Sequence, residues 1–408
     1  MEILFSHLNF PAQFGGFGAY LARQGWRVWF MTERDGATPP PGCRMVRMKP
    51  HRAPTEGVHR FARPLESAMI NGQAFANAAL AARREGLAPD IVVAHSGWGA
   101  GTFAKAVWPG AKYVSYVEWY YRHPPVDATG PVQRGNDPDR RALALARNAP
   151  TLMDLAEADM VLCPTRFQAE QFPAWMRYRI TVMHDGVDTG FFAPAPGARM
   201  ALPGLDLPGD AEIVTYATRG MEPTRGFPEF MRALAILQAR RPNLHAVIGG
   251  QDRVAYGPQP ADGTGWKARM LAELDLDESR LHWPGLLPRG AWCRLLQGTD
   301  VHVYLTVPFV LSWSLIEAMA AGAPLVVSDS APVREAVEAG VSADMVDHRD
   351  PAALADAIGR LLEDRARAAR LGRGARRAAE RGYDAAWIYP AKARMLADLL
   401  NGTPVSRP

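Results

Sequence analysis

Short apolar runs alternate with helix-like segments along nearly the whole chain, and the alternation is interrupted once, near the middle. In the first half the runs 3–6, 27–31, 91–94, 113–117, 160–163 and 180–183 read as strands, separated by helical stretches such as 65–84 and 140–157. Such alternation is the pattern of a parallel sheet with helices on both faces. From Gly190 to Asp210 the sequence is rich in Pro, Gly and Ala and has no clear period, which reads as a connection between domains. Alternation then resumes with the runs 212–217, 244–248, 281–283, 301–304 and 325–327. A helix-rich region follows from Pro351 to Arg381, then an amphipathic tail carrying Trp387, Ile388, Ala391, Met395 and Leu399. The pattern predicts an α/β protein of two doubly wound, Rossmann-like domains, 1–190 and 191–384, with a final helix in 385–408. A length of 408 residues suits that division.

With 48% apolar and 22% charged residues the chain has the composition of a globular protein, and no apolar run reaches membrane-spanning length. Met1-Glu-Ile-Leu-Phe5 opens directly into a strand without the basic start of a signal peptide, so a cytoplasmic protein is expected. Cys43, Cys163 and Cys293 are widely spaced, with neither a Cys-x-x-Cys pair nor a histidine cluster beside them. Reduced thiols are expected, not a disulfide framework or a structural zinc site. The formal net charge is +4 and spread out, without the long basic stripe of a nucleic-acid binder. One local cluster stands out. Arg44, Arg47, Lys49, His51, Arg52, His59, Arg60 and Arg63 face a single acid, Glu56, within segment 44–63. It reads either as solvated surface or as a patch for anionic lipid or a phosphorylated acceptor. The Arg-rich stretch from Arg365 to Arg381 has helical spacing and reads as an exposed helix face.

Groups able to do chemistry concentrate where strands end. After run 212–217 comes a loop with Arg219 and Arg225, and Gly226 then opens an amphipathic helix. Two guanidiniums thus stand at the carboxyl end of a strand, where open α/β sheets hold ligands. Further on, Ser312 and Ser314 flank Trp313 as an apolar helix begins, with Glu317 about one turn inside. Free N–H groups and the positive helix end suit a phosphate, and Glu317 can accept hydrogen bonds from a ribose diol. In the first half, Gly15 and Gly16 occupy the turn from the first strand into a helix, where glycine lets backbone approach a ligand. His95-Ser-Gly-Trp98 and Glu118-Trp-Tyr120 follow two more strands. Glu118 can bind sugar hydroxyls or steady positive charge, or it can form a structural ion pair with Arg122. Trp98 and Tyr120 offer flat apolar platforms with polar edges, shared between core and cleft. Asp137-Pro-Asp139 and Asp275-Leu-Asp277 fall in loops or at helix ends and not after a strand. They are rejected as metal motifs, and no metal or other cofactor is expected.

On these segments the chain resembles the GT-B-fold glycosyltransferases of family 4. That family carries a Gly-Arg…Lys-Gly loop and a Glu-x7-Glu motif ending in Glu-Ala-Met-Ala. Arg219 matches the family arginine, Arg225 takes the place of the lysine, and Glu317-Ala-Met-Ala320 matches the second glutamate and its helix. The first glutamate of the motif falls on Phe309, a departure that leaves the donor sugar unassigned. Val182-Met-His-Asp-Gly-Val-Asp188 is similar to the turn that ends the family's first domain. The resemblance spans essentially the whole chain and is strongest in the C-terminal half. It implies two Rossmann-like domains facing a central cleft, with the C-terminal helix crossing back to the first. It also implies metal-independent transfer from a UDP- or GDP-sugar to a glycan or glycolipid hydroxyl, with retention of configuration. Arg219 and Arg225 would clamp the leaving diphosphate, Gly15, Gly16 and Gly249 would lie near it, and the turn at Leu286 would lie beside the base. His95, Trp98 and Tyr120 would serve the sugar and acceptor, with Glu118 where the family commonly has a histidine. Peripheral contact with the inner membrane face through 44–63 would fit a glycolipid acceptor. Two readings stay open beside this one: an epimerase of the same fold, for which the needed carboxylates cannot be assembled, and a non-catalytic nucleotide-sugar-binding relative.

Overall fold

The computed structural model describes residues 1–127, 137–257, 259–260 and 262–402. Its internal contacts divide the chain into two units, Met1–Gly186 with the segment from Ala386 onward, and Val187–Ala385.

The first unit is built on seven strands: β1 (Glu2–Ser6), β2 (Arg27–Thr32), β3 (Cys43–Arg47), β4 (Ile91–His95), β5 (Lys112–Tyr116), β6 (Met160–Cys163) and β7 (Ile180–Val182). All pair in parallel, in the order β3-β2-β1-β4-β5-β6-β7. Because side chains alternate across a strand, each buried strand feeds two cores. Ile3, Phe5, Ile91 and Val93 enter one core, while Leu4, Val92 and Ala94 enter the other. The C-terminal helix Ala385–Leu400 covers the first of these cores with Ile388, Met395 and Leu396. It also brings Lys392 to 3.4 Å from Asp185, which accepts the Tyr116 hydroxyl at 2.9 Å. Burial holds the Lys392 ammonium below its ordinary range, with Asp185 opposing.

The second unit holds β8 (Glu212–Ala217), β9 (Leu244–Gly249), β10 (Leu281–Gly285), β11 (Val301–Tyr304), β12 (Leu325–Ser328) and β13 (Asp344–Val346). They too are parallel, in the order β10-β9-β8-β11-β12-β13. Ile213, Leu325 and Val327 pack on one face, and Val214, Tyr216 and Val326 on the other. The stretch 190–210 carries no helix or strand, yet Phe192 and Leu202 are buried in this unit's core.

Three elements depart from the sequence expectation. β3 and β13 are edge strands: Cys43–Arg47 is nowhere fully buried, and β13 has three residues. Neither presents the apolar run of a covered strand. The helix expected over 140–157 is two, Pro138–Arg147 and Ala149–Glu157. Pro150 suits a first turn but not a helix interior, and the Asn148 side chain turns aside to bond both the N–H and the C=O of Tyr121. No described helix is long and apolar enough to cross a membrane.

In each sheet the order of winding reverses once, between β1 and β4 and between β8 and β11. Loops leaving the carboxyl ends of two such strands part to opposite faces and open a crevice between them. These are the two places where the sheets prepare a site.

Candidate functional site

At the β8/β11 reversal lies a cavity of about 250 Å³, lined from four successive strand ends. β8 contributes Tyr216 to Arg219 and the following loop Arg225; β9 contributes Gly249 and Gly250; β10 contributes Gly285 to Leu287; β11 and its loop contribute Tyr304, Leu305, Ser312 and Ser314. Tyr256 and Trp292 complete the wall.

The β8 loop is held rigidly. Tyr216 stacks on Phe230 at 4.6 Å, and its hydroxyl donates to the Arg225 carbonyl at 2.7 Å. Arg225 itself is 7% exposed. Its Nη1 donates to Thr306 Oγ1 at 2.8 Å and to the Val310 carbonyl at 3.2 Å, while the guanidinium lies 5.2 Å from the Tyr256 ring and 5.7 Å from Phe309. Arg219, by contrast, is exposed. Opposite this loop, Ser312 caps the helix Trp313–Ala320, accepting the Ser314 N–H, and its own N–H donates to the Tyr304 hydroxyl at 3.0 Å. The positive end of that helix and the two arginines give the cavity a positive wall suited to a diphosphate.

Glu317 stands behind Trp292, whose Nε1 donates to Glu317 Oε2 at 2.8 Å. Burial raises its carboxyl pKa, with the Trp292 bond opposing. Of the glycine pair after β9, it is Gly250 that demands glycine: its φ is 127°, and a Cβ there would stand 2.0 Å from the Thr218 carbonyl oxygen. At Gly249 the constraint is weaker: a Cβ would stand 3.3 Å from the Ala217 Cβ, a tight contact that calls for a shift of a few tenths of an ångström.

In the first unit a second group gathers at the β1/β4 reversal and the end of β5. His95 is 4% exposed, and its Nε2 lies 3.1 Å from Glu118 Oε2; Gln13 Nε2 donates to Glu118 Oε1 at 3.4 Å. Glu118 is therefore hydrogen-bonded to His95, and it is not paired with Arg122. Trp98 stacks on His95 at 4.2 Å, yet stays 39% exposed. Its loop is fixed by buried Asp154, which accepts from the Ser96 hydroxyl, the Gly97 N–H and the Thr102 hydroxyl at 2.9, 2.8 and 2.6 Å. Burial raises the Asp154 pKa, and those three bonds oppose it.

Other expected site residues have plainer placements. Tyr120 packs on Phe172 at 5.4 Å and belongs to the core, apart from the His95 group. Gly15 and Gly16 open the helix Gly15–Arg23, where a Cβ would meet Pro11 at 2.9 Å and the Tyr389 hydroxyl at 2.4 Å respectively, so packing alone requires them small. Trp313 is exposed between the two serines. Asp137 and Asp277 cap helix starts, and among the described residues no group of three or more His, Cys, Asp or Glu side chains is placed to hold a metal. In segment 44–63, Arg52 pairs with Glu66 at 2.8 Å and Arg60 with Asp139.

Comparison with known proteins supplies the family. Residues 24–192 match the Glycosyl transferase family 4 group, and residues 203–378 match the Glycosyl transferases group 1. The chain belongs to the family 4 glycosyltransferases. Among family relatives, a D-inositol 3-phosphate glycosyltransferase of Thermobispora bispora is 34% identical over 215 residues, 51% of this chain and 48% of that one. A GDP-mannose-dependent alpha-(1-6)-phosphatidylinositol monomannoside mannosyltransferase of Mycolicibacterium smegmatis is 28% identical over 257 residues, 62% and 64% of the two chains. The chain thus matches about half the length of its first curated relatives. Solved structures agree on the GT-B fold of the family. A sucrose-phosphate synthase from Thermosynechococcus elongatus has a TM-score of 0.74 at 20% identity, covering 98% of this chain and 99% of that one. Anabaena HepE in complex with UDP-glucose has a TM-score of 0.69 at 17% identity, covering 98% and 100%.

Within this family 4 chain most of the expected residues gather into two groups, one per unit, while Gly15, Gly16, Tyr120 and Trp313 fall outside them. Arg219, Arg225, Gly249, Leu286, Ser312 and Ser314 line one cavity, with Glu317 one side chain behind; Glu118, His95 and Trp98 form the other group. Sequence reasoning missed Tyr256, Trp292 and Glu222. Glu222, between the two arginines in sequence, is fully buried and accepts the N–H groups of Ala255, Tyr256 and Gly257. Its only signal was an acid in a loop otherwise suited to anions.

Proposed function

We propose that the chain is a hexosyltransferase that moves a sugar from a nucleotide-diphosphate sugar to a hydroxyl of a glycan or glycolipid, with retention and without a metal. The observation that carries this reading is the convergence of Arg219, Arg225 and the Ser312-capped helix start on one cavity at the β8/β11 reversal. As the bond from the sugar C1 to the phosphate oxygen breaks, negative charge grows on the diphosphate. The buried, hydrogen-bonded Arg225 guanidinium and the positive helix end stabilise that charge at little reorganisation cost. The leaving phosphate oxygen takes the proton of the acceptor hydroxyl as its oxygen bonds to C1 from the same face. Such a path needs no pair of nucleophilic and acid/base carboxylates of the kind glycosidases use. On this reading Glu317 holds the ribose, and the turn at Gly285–Leu287 borders the base.

In the first unit, Trp98 is the apolar platform and Glu118 the carboxylate for a sugar hydroxyl or for positive charge at C1. The relatives named for inositol phosphate and phosphatidylinositol acceptors support a phosphorylated or lipid-linked acceptor, for which the cations of 44–63 give contact with an anionic membrane face. Calorimetric titration with UDP, GDP, ADP and TDP in the presence of EDTA tests the core of the proposal. One nucleotide should bind, and Arg219→Ala should weaken it. If none binds, the chain is not a nucleotide-sugar enzyme of this kind.

A further inference from the structure

In the first unit the C-terminal helix contributes a charge that its packing does not require. Lys392 is 6% exposed, within the core that Phe5, Phe14, Phe17, Met395 and Leu396 build. Its one hydrogen-bond partner among the described residues is Asp185 at 3.4 Å, longer than the roughly 2.7–2.9 Å of a well-formed charge-assisted bond. Taking two charges out of water is costly, and an apolar pair of similar volume often serves stability as well. Ile388, Met395 and Leu396 already hold this helix on the core.

Lys392 also lines a cavity of about 20 Å³, whose other polar lining residues are Gln13 and Tyr116. A space of that size admits one water molecule, which needs roughly two to four polar partners. The Gln13 amide sorts its two ends by chemistry. Its Nε2 donates to Glu118 Oε1 at 3.4 Å, so Oε1 is the end able to accept. An ammonium has only donors, and a water can accept from it while donating to an amide oxygen. We propose that Lys392 is a positioning residue for Glu118 and acts through one water bound in this cavity. Lys392 donates to the water, the water donates to Gln13 Oε1, and the amide so oriented holds Glu118 Oε1. A second arm leaves the same pair. Asp185 accepts the Tyr116 hydroxyl at 2.9 Å, and the Tyr116 ring lies 5.9 Å from that of His95, whose Nε2 is 3.1 Å from Glu118 Oε2. The inference rests on the reading of Glu118 as a carboxylate that acts in turnover.

The first arm of the test needs no substrate. A high-resolution crystal structure of the wild type should show a water bonded to both Lys392 Nζ and Gln13 Oε1; a cavity without one, or a Gln13 amide turned away from Glu118, overturns the relay. The second arm is a mutant cycle read as release of nucleoside diphosphate from UDP-glucose or GDP-mannose, with thermal unfolding establishing that each variant is folded. Lys392→Met/Asp185→Asn removes the charge pair together, so neither charge is left buried alone, and keeps an acceptor for Tyr116. Gln13→Leu removes the amide. Each change should slow release about fivefold with nucleoside diphosphate affinity within about twofold of wild type, and all three together should cost no more than about fivefold, because both cut one path. Losses that multiply to about 25-fold, or wild-type release by a folded Lys392→Met/Asp185→Asn protein, overturn the relay and leave the reading of Glu118 standing. Normal release by a folded Glu118→Gln protein removes that reading, and this inference with it.

Discussion

Arg225→Ala removes a guanidinium that is 7% exposed and whose two internal bonds, to Thr306 and Val310, both come from Nη1. On the proposed reading, its remaining N–H groups donate to a bound diphosphate. A hydrogen bond to a charged partner contributes about 1.5–3 kcal/mol, and two on one group do not simply add. The expected loss in nucleoside diphosphate affinity is about 2–3 kcal/mol, roughly 30- to 150-fold. Arg219 is exposed, so Arg219→Ala should cost only about 1 kcal/mol, roughly fivefold, and that cost should shrink as salt is raised. Arg225→Lys keeps the charge but not the planar fork, and should fall between wild type and Ala. Calorimetric titration with the nucleoside, its monophosphate and its diphosphate reads the loss, with thermal unfolding confirming that each variant is folded. The loss should be confined to phosphorylated ligands and be largest for the diphosphate. A folded Arg225→Ala protein with wild-type diphosphate affinity, or one that loses the bare nucleoside equally, would refute the clamp.

Glu317→Gln should weaken the nucleoside diphosphate about tenfold while moving inorganic diphosphate by less than about twofold, since its assigned partner is the ribose; equal losses would contradict that role. Glu118→Gln should slow release of nucleoside diphosphate from the nucleotide sugar while leaving nucleoside diphosphate affinity within about twofold, and normal turnover in a folded variant would return Glu118 to a structural part. Stability should fall on acidification. Burial lowers the pKa of His302 to about 3 and of His184 to about 4, and lowers those of His245, His282 and His348. The unfolded chain then binds more protons below an imidazole's ordinary pKa, so stability is fully present above about pH 6.5 and is lost as the pH drops toward the folded values. Denaturant midpoints from pH 7.5 to 5 should show the slope, and His302→Gln should flatten it; a midpoint independent of pH would count against neutral burial of these rings.

The parts of the site legible in the sequence are those whose chemistry is local. Arg219, Arg225 and the Ser312 cap each follow a strand directly, so reading the strand places the residue at the carboxyl end of a sheet. The cores were legible for the same reason, because covered parallel strands announce themselves by apolar runs. β3 and β13 do not, since an edge strand needs no such run, and the break at Asn148 depends on a partner, Tyr121, 27 residues away. What escaped at the site depends on distant pairing in the same way. Glu118 looks equally able to bind Arg122 or a sugar until the fold sets His95 beside it, 23 residues back along the chain. Gly249 and Gly250 are indistinguishable as letters, and only the approach of the Thr218 carbonyl shows which one must lack a side chain. Glu222 is the strongest case: an acid in a phosphate loop reads as a misfit, yet its oxygens are taken up by three backbone N–H groups from 255–257, which orders the segment that presents Tyr256. A carboxylate consumed in this way repels a bound diphosphate less than a free one would, which is why the loop can carry both an acid and the clamp.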